Sequence, residues 1–118
     1  TILSINQKEL NSINSEYPIW DFYDLPAGTY PTQNENVRTA ASANVLVARE
    51  DVPEETVYDL TKLIWENLAV LREIHGATQS MSFERALQGV TIPLHAGALR
   101  FYKEQGLDIP DALSSELL

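Results

Sequence analysis

Residues 51–76 read DVPEETVYDLTKLIWENLAVLREIHG, and this stretch carries the strongest secondary-structure signal in the chain. Its apolar residues recur at spacings of three and four, which is the period of one face of an α-helix. They are Val57, Leu60, Ile64, Leu68 and Leu71. Asp51, Pro53 and Glu54 are typical of a helix start, with Asp51 as the cap and the proline in the first turn. We predict one long amphipathic helix that ends just before Gly76, a typical helix stop.

Two strands are predicted before this helix. Residues 19–25 (IWDFYDL) are rich in aromatic side chains, which favour strands. Residues 40–50 (AASANVLVARE) are apolar on both faces, as in a strand that other elements cover on both sides. Between them, residues 25–39 (LPAGTYPTQNENVRT) contain turn residues and no helical period, so they form the longest predicted loop.

Shorter helices are predicted on either side of these elements. Asn6 and Glu9 have the spacing of a capping box, which opens a helix near the start of the chain. Further helices are expected over residues 82–87, over residues 93–105 and after Asp108. The predicted fold class is therefore α/β, with few strands, one long amphipathic helix and several shorter C-terminal helices.

Composition excludes several classes of protein. The 118 residues contain 8 Lys and Arg against 17 Asp and Glu, a net charge of −9 at pH 7. Because phosphate backbones are bound by clustered basic side chains, we expect no nucleic-acid partner. The apolar runs are much shorter than the roughly 18 residues that span a bilayer. The chain has no cysteine, which excludes a disulfide framework and a thiol nucleophile.

No catalytic or metal-binding pattern stands out. The sequence has neither a G-x-S-x-G turn nor a glycine-rich phosphate loop, so we expect no enzyme activity, no catalytic residue, no metal and no cofactor. His75 falls at the predicted C-terminus of the long helix, where a cation interacts well with the helix dipole. His95 falls in the first turn of a later helix, and we expect its ring to form hydrogen bonds with the backbone.

The long loop offers the side chains of a small-ligand site. Tyr30 is flat and amphipathic, Gln33 and Asn34 can both donate and accept hydrogen bonds, and Arg38 is the only cation. Small-ligand pockets combine a few such polar groups with aromatic surface. From composition alone, an ordinary surface loop remains the alternative interpretation.

Four motifs in order point to a specific family. Residues 25–33 (LPAGTYPTQ) are similar to an (I/V)-P-A-G-T-Y-P-G-Q signature, and a V-x-T segment at 37–39 with a hydrophobic strand at 44–47 follows. Next comes D-x-P-E-x-x-x-Y at 51–58, and residues 93–106 are close to P-L-H-P-G-A-x-x-Y-Y-x-E-x-G. In this order the motifs resemble the C-terminal part of the TAXI family of TRAP transporter solute receptors.

The resemblance implies a periplasmic solute-binding receptor rather than an enzyme. Such a receptor has two α/β lobes of the type II-like periplasmic fold, joined by crossing strands. It captures a small organic solute, glutamate-like, glutamine-like or another carboxylate, and delivers it to a TRAP membrane permease driven by an ion gradient. Family members are much longer than 118 residues. We therefore expect this chain to be a fragment of a two-lobe receptor, without the N-terminal lobe and the signal peptide.

The resemblance also assigns parts of the chain to the two lobes. Residues 1–39 would form the end of the second lobe and the inter-lobe loop. Residues 40–118 would supply a crossing strand and the C-terminal helices that pack on the first lobe. Because the loop would then face the cleft, Tyr30, Gln33 and Thr39 are the predicted ligand-binding residues.

Some positions depart from the family pattern. Thr32 stands where the motif has glycine, which makes a positive-φ backbone harder to adopt there. Arg38 stands where the family tends to have proline, and Ala96 replaces the proline of the P-L-H-P motif. Residues 37–42 are predicted to form part of the hinge between the lobes.

An alternative interpretation needs no receptor. The chain would be a self-standing acidic α/β interaction module that dimerises through the long helix, whose stripe of apolar residues could meet a second copy. A receptor fragment would also be expected to form homo-oligomers, because uncovered apolar surface favours pairing.

Overall fold

A computed structural model describes residues 2–114 of the chain. Within them lie five α-helices and one two-stranded antiparallel sheet, so the predicted α/β class with few strands is confirmed. The helices are α1 (Gln7–Asn14), α2 (Glu54–Glu66), α3 (Leu68–Ile74), α4 (Ala96–Glu104) and α5 (Asp111–Ser114). The strands are β1 (Trp20–Leu25) and β2 (Val37–Ser42). Two 3₁₀ turns, Gly76–Ser80 and Phe83–Arg85, lie between α3 and α4.

The described residues form two compact units. The first contains residues 2–45 together with 89–91, and the second contains residues 46–88 together with 92–114. The assignment of the chain to two receptor lobes, at residues 1–39 and 40–118, stays a prediction.

The first unit opens with the predicted capping box. The side chain of Asn6 accepts a hydrogen bond from the Glu9 N–H at 3.1 Å, and the Glu9 carboxylate accepts one from the Asn6 N–H at 2.7 Å. The pair satisfies two backbone donors that a helix N-terminus would otherwise leave free. Leu10, only 4% exposed, holds the helix against the unit. The prediction of a helix opened by Asn6 is confirmed.

Strands β1 and β2 pair from Trp20 opposite Ser42 to Leu25 opposite Val37. A bidentate ion pair crosses the sheet between Arg38 and Asp24, with Nε 2.7 Å from the nearer carboxylate oxygen. The hydrogen bond from Arg38 lowers the pKa of the Asp24 carboxyl group. Arg38, which stands where the family pattern tends to have proline, therefore adds a contact across the two strands.

The predicted strand over residues 40–50 is wrong in its position. β2 begins at Val37 and ends at Ser42, and residues 43–49 have no regular secondary structure. Leu46 and Val47 are 74% and 66% exposed. A strand that is apolar on both faces needs paired neighbours and a layer over each face. In the described part of the chain β1 is the sole partner strand, and it pairs with residues 37–42.

The second unit contains the long helical stretch, but as two helices. The predicted single helix from residue 51 divides at Asn67, whose φ of −112° and ψ of 22° leave the helical region. The Asn67 side chain donates to the Leu63 carbonyl at 2.8 Å, and asparagine side chains that bond to their own turn favour non-helical backbone. The predicted cap is also wrong, because Asp51 pairs with Arg49 at 2.7 Å and α2 begins at Glu54 after Pro53.

The core of this unit lies between α2, α4 and α5. Val57, Phe101 and Leu113 are 5–7% exposed. Helix α4 starts at Ala96, later than the predicted start at Pro93, because the His95 side chain supplies the cap. The predicted helix over residues 82–87 is reduced to the short 3₁₀ turn.

One face of α2 and α3 remains largely uncovered within the unit. Its apolar side chains are 47–71% exposed. They are Leu60, Leu63, Val70 and Ile74. Dimerisation through this face stays a prediction.

No helix among residues 2–114 has the length and apolar character needed to cross a membrane.

Candidate functional site

The candidate site is the loop of residues 26–36, which joins β1 to β2 in the first unit. Two of its residues have positive φ, Gly28 at 80° and Thr32 at 70°. A side chain at each end fixes it further, because the Asn36 side chain accepts from the Ala27 N–H at 2.8 Å and the Thr29 hydroxyl donates to the Pro26 carbonyl at 2.7 Å. The loop is thus held by its own polar groups.

Gln33 is the centre of this hydrogen-bond network. Its side-chain nitrogen donates to the carbonyl oxygens of Glu35 at 2.8 Å and Pro26 at 3.0 Å, with that of Leu25 at 3.4 Å. Its side-chain oxygen accepts from the Tyr30 N–H at 3.3 Å. The Gln33 carbonyl accepts from the Gly28 N–H at 2.8 Å. Because both ends of the amide are used within the loop, Gln33 holds the loop in shape.

Tyr30 is presented outward by this arrangement. Its backbone is held on both sides by Gln33, whose N–H donates to the Tyr30 carbonyl at 3.1 Å. The side chain is 55% exposed, and its hydroxyl forms no hydrogen bond within residues 2–114. The loop therefore offers one aromatic ring and one unused hydroxyl on a backbone that is already fixed.

Thr39 lies elsewhere in the first unit. It is half-buried in β2, opposite Tyr23 of β1. The structure thus brings Tyr30 and Gln33 into direct contact and leaves Thr39 in the sheet. Ligand binding by these three residues stays a prediction.

Thr32 occupies strained backbone at the position where the family motif has glycine. Its φ of 70° lies in the left-handed region, where the Cβ of an L-residue crowds the backbone. For a β-branched residue this conformation is an outlier. The loop therefore keeps the backbone that glycine would favour, at a cost in stability.

We expect Thr32→Gly to raise the free energy of unfolding by about 1 kcal/mol. Left-handed backbone costs an L-residue roughly 1–2 kcal/mol, and the added freedom of glycine in the unfolded chain offsets about 0.5 kcal/mol of the gain. Chemical denaturation followed by circular dichroism measures the change. Thr32→Ala is the matched control, since it retains a Cβ and should recover less. A Thr32→Gly protein less stable than the parent would contradict the assignment of strain.

The two histidines bond to the backbone in the second unit. His95 Nδ1 accepts from the Gly97 N–H at 3.2 Å, so Nε2 carries the proton and donates to the Val52 carbonyl at 3.1 Å. The backbone role predicted for His95 is confirmed. His75 does lie at the C-terminus of α3, but its Nδ1 accepts from the Ala77 N–H at 3.0 Å. This bond caps the 3₁₀ turn Gly76–Ser80 that follows α3, and the interaction of His75 with the helix dipole stays a prediction.

Gly97 is a residue whose role the sequence analysis missed. It is buried in the first turn of α4, and a Cβ built on it would overlap the backbone of α2 at Glu54 and Tyr58. A glycine within P-L-H-A-G-A was the only available signal, and the motif alone does not say which helix it faces.

Among residues 2–114, no group of three or more His, Asp or Glu side chains is placed to hold a metal ion.

Comparison with protein families gives a match over most of the chain. A family model described as the NMT1-like family covers residues 1–106. The matched region contains the loop of residues 26–36, both strands and helices α1 to α4.

Proposed function

The chain belongs to the NMT1-like family, a family of periplasmic binding proteins, and we propose that it forms part of a TAXI-type receptor of a TRAP secondary transporter. In this role the protein captures a small organic solute outside the cytoplasm and presents it to a membrane permease. The solute is a carboxylate of the glutamate or glutamine kind. The receptor releases this solute without altering it chemically. The order of the four sequence motifs supports this narrower assignment.

The observation that carries the proposal is the fixed loop that presents Tyr30. A site that is already ordered before its ligand arrives avoids much of the entropy cost of binding. Gln33 provides that order. Its side-chain oxygen accepts from the Tyr30 N–H, its backbone N–H donates to the Tyr30 carbonyl, and its side-chain nitrogen donates to the Glu35 carbonyl. The free hydroxyl of Tyr30 can donate to a carboxylate oxygen, and its ring can cover the apolar part of a small solute.

Binding would then favour a closed arrangement of the receptor. A solute that contacts two lobes shifts the equilibrium toward the closed state by its difference in affinity for the two states. The hinge predicted at residues 37–42 coincides with β2, which directly follows the loop. A solute held by Tyr30 would therefore act on the segment through which closure is proposed to occur.

We expect Tyr30→Ala to weaken carboxylate binding about tenfold, a change of about 1.4 kcal/mol. The measurement is calorimetric titration of the natural protein that contains these residues, with glutamate, glutamine and a panel of other small carboxylates. Tyr17→Ala is a matched control, because Tyr17 is also an exposed tyrosine of the first unit, 64% against 55% exposed, and lies outside the loop.

Two results would contradict different parts of this proposal. If no carboxylate binds the parent protein, the proposed solute class is wrong. If a carboxylate binds and Tyr30→Ala changes its affinity no more than Tyr17→Ala, the receptor function stands and the placement of the site at the loop is wrong.

A further inference from the structure

An open groove lies in the second unit, separate from the loop that carries Tyr30. It has a volume of about 370 Å³, within the usual range for small-ligand sites. Aromatic side chains from α2, α4 and the turn between α3 and α4 form its walls. They are Tyr58, Trp65, Phe83 and Phe101. Three polar side chains stand around it: Lys62, Glu66 and Gln105.

The aromatic walls are held in place by their own contacts. Trp65 and Phe83 meet edge to face with ring centroids 5.3 Å apart, and Phe83 and Phe101 do so at 6.4 Å. The polar atoms of the walls are already used: the Tyr58 hydroxyl donates to Glu104 at 2.6 Å, and the Trp65 N–H donates to Tyr102 at 3.2 Å. The walls therefore offer ring surface only, which suits a flat apolar group.

The polar side chains of the groove retain unused binding capacity. Lys62 Nζ lies 3.9 Å from Glu66 Oε1, at the outer limit of an ion pair, and the two side chains are 48% and 59% exposed. A pair of this kind on a helix surface contributes only about 0.3–0.5 kcal/mol. The Gln105 amide forms no side-chain hydrogen bond within the described residues. The groove thus places one cation, one anion and one free amide beside an aromatic surface.

We propose that this groove binds a free aromatic amino acid. An α-amino acid carries an ammonium and a carboxylate on one carbon, and this matches two opposite charges 3.9 Å apart. The ammonium faces Glu66, the carboxylate faces Lys62, and the ring lies against Trp65 and Phe83. The Gln105 amide can donate to the carboxylate or accept from the ammonium.

Other ligand chemistries fit less well. A phosphate compound would find one lysine in the groove of a chain with a net charge of −9. A purely apolar ligand would partly desolvate Lys62 and Glu66 and give neither charge a new partner. An aromatic residue at the end of a peptide carries one of the two required charges, so it would satisfy only one of the two side chains.

Fluorescence of Trp65 provides the test. The chain has two tryptophans, and Trp20→Phe leaves Trp65 as the only reporter. In that background, phenylalanine should cause a saturable change in emission. Phenylalanine amide and N-acetylphenylalanine, each lacking one charge, should bind about fivefold more weakly, the upper range for an exposed ion pair. Alanine, which lacks the ring, should cause no change over the same concentrations.

Charge variants make the assignment specific. Lys62→Met should abolish the difference between phenylalanine and its amide, and Glu66→Gln should abolish that between phenylalanine and the N-acetyl compound. Lys103→Met, on exposed α4 surface outside the groove, and Tyr30→Ala should leave all titrations unchanged. Absence of saturation with phenylalanine, or equal affinity for phenylalanine and both derivatives in the Trp20→Phe protein, would overturn the proposal and leave the receptor function untouched.

Discussion

Gly97→Ala is expected to lower the free energy of unfolding by about 3 kcal/mol, the upper range for inserting a methyl group into a packed core. The added Cβ would lie 2.6 Å from the Tyr58 backbone nitrogen and 3.1 Å from the Val57 carbonyl carbon, and it would overlap the Glu54 carbonyl oxygen. Backbone atoms of a helix cannot rotate out of the way as a side chain can. Helix α4 would have to move away from α2, and urea denaturation measures the loss.

Gly76→Ala is the matched control for this prediction. Gly76 lies in the same unit, a Cβ on it would meet no atom within 4 Å, and its φ is not positive. We expect that substitution to change the free energy of unfolding by less than about 1 kcal/mol. Equal losses for the two variants would mean that the contact between α4 and α2 tolerates a larger separation than the structure indicates.

The same displacement should be visible in the ion pairs that join the two helices. Arg100 of α4 reaches Glu54 at 2.7 Å and Glu55 at 2.8 Å, and its guanidinium lies 4.0 Å from the Tyr58 ring centroid. These contacts depend on the close approach that Gly97 permits. The Gly97→Ala protein is therefore expected to lose them together with core packing, which puts the expected loss at the upper end of the range for one added methyl group.

Elements set by local chemistry were predictable from the sequence. The Asn6 and Glu9 box depends on residues three positions apart, and it forms as expected. The extent of the helical stretch was also predictable from its apolar period. Its division at Asn67 was not, because it depends on whether one amide bonds to its own turn or to solvent. β2 was misplaced because strand register depends on the partner strand rather than on the apolar run itself.

The candidate sites were also only partly predictable from the sequence. Turn residues predicted a loop over residues 25–39, and in the structure β2 shortens it to residues 26–36. The role of Gln33 was not predictable, because it depends on carbonyl groups that meet only when the loop is closed. The sequence indicates part of the groove in the second unit, because Tyr58 and Trp65 lie seven residues apart and so share one face of α2. Phe83 comes from a separate turn, and no sequence spacing indicates that contact.

The other large effect is expected from Gln33→Glu, which should lower the free energy of unfolding by about 2 kcal/mol. The substitution keeps the shape of the side chain but replaces the donating amide nitrogen by a carboxylate oxygen. That oxygen would face the carbonyl oxygens of Pro26 and Glu35, which accept from the amide in the parent protein at 3.0 and 2.8 Å. A typical hydrogen bond contributes about 0.5–1.5 kcal/mol net, so losing these two bonds accounts for the expected change.

Gln7→Glu separates this local effect from the general cost of another negative charge on a chain of net charge −9. Gln7 lies in the first turn of α1, where a carboxylate is favourable to the helix dipole, and it forms a single exposed side-chain bond to Asn11. We expect Gln7→Glu to be nearly neutral. Amide hydrogen exchange should also be faster at Gly28 and Tyr30 in Gln33→Glu alone. Both N–H groups donate to Gln33 oxygens, and these bonds depend on the loop that the side-chain nitrogen of Gln33 holds closed. Equal stability of the two variants, with unchanged exchange at both amides, would show that Gln33 does not hold the loop, and the fixed presentation of Tyr30 would lose its physical basis.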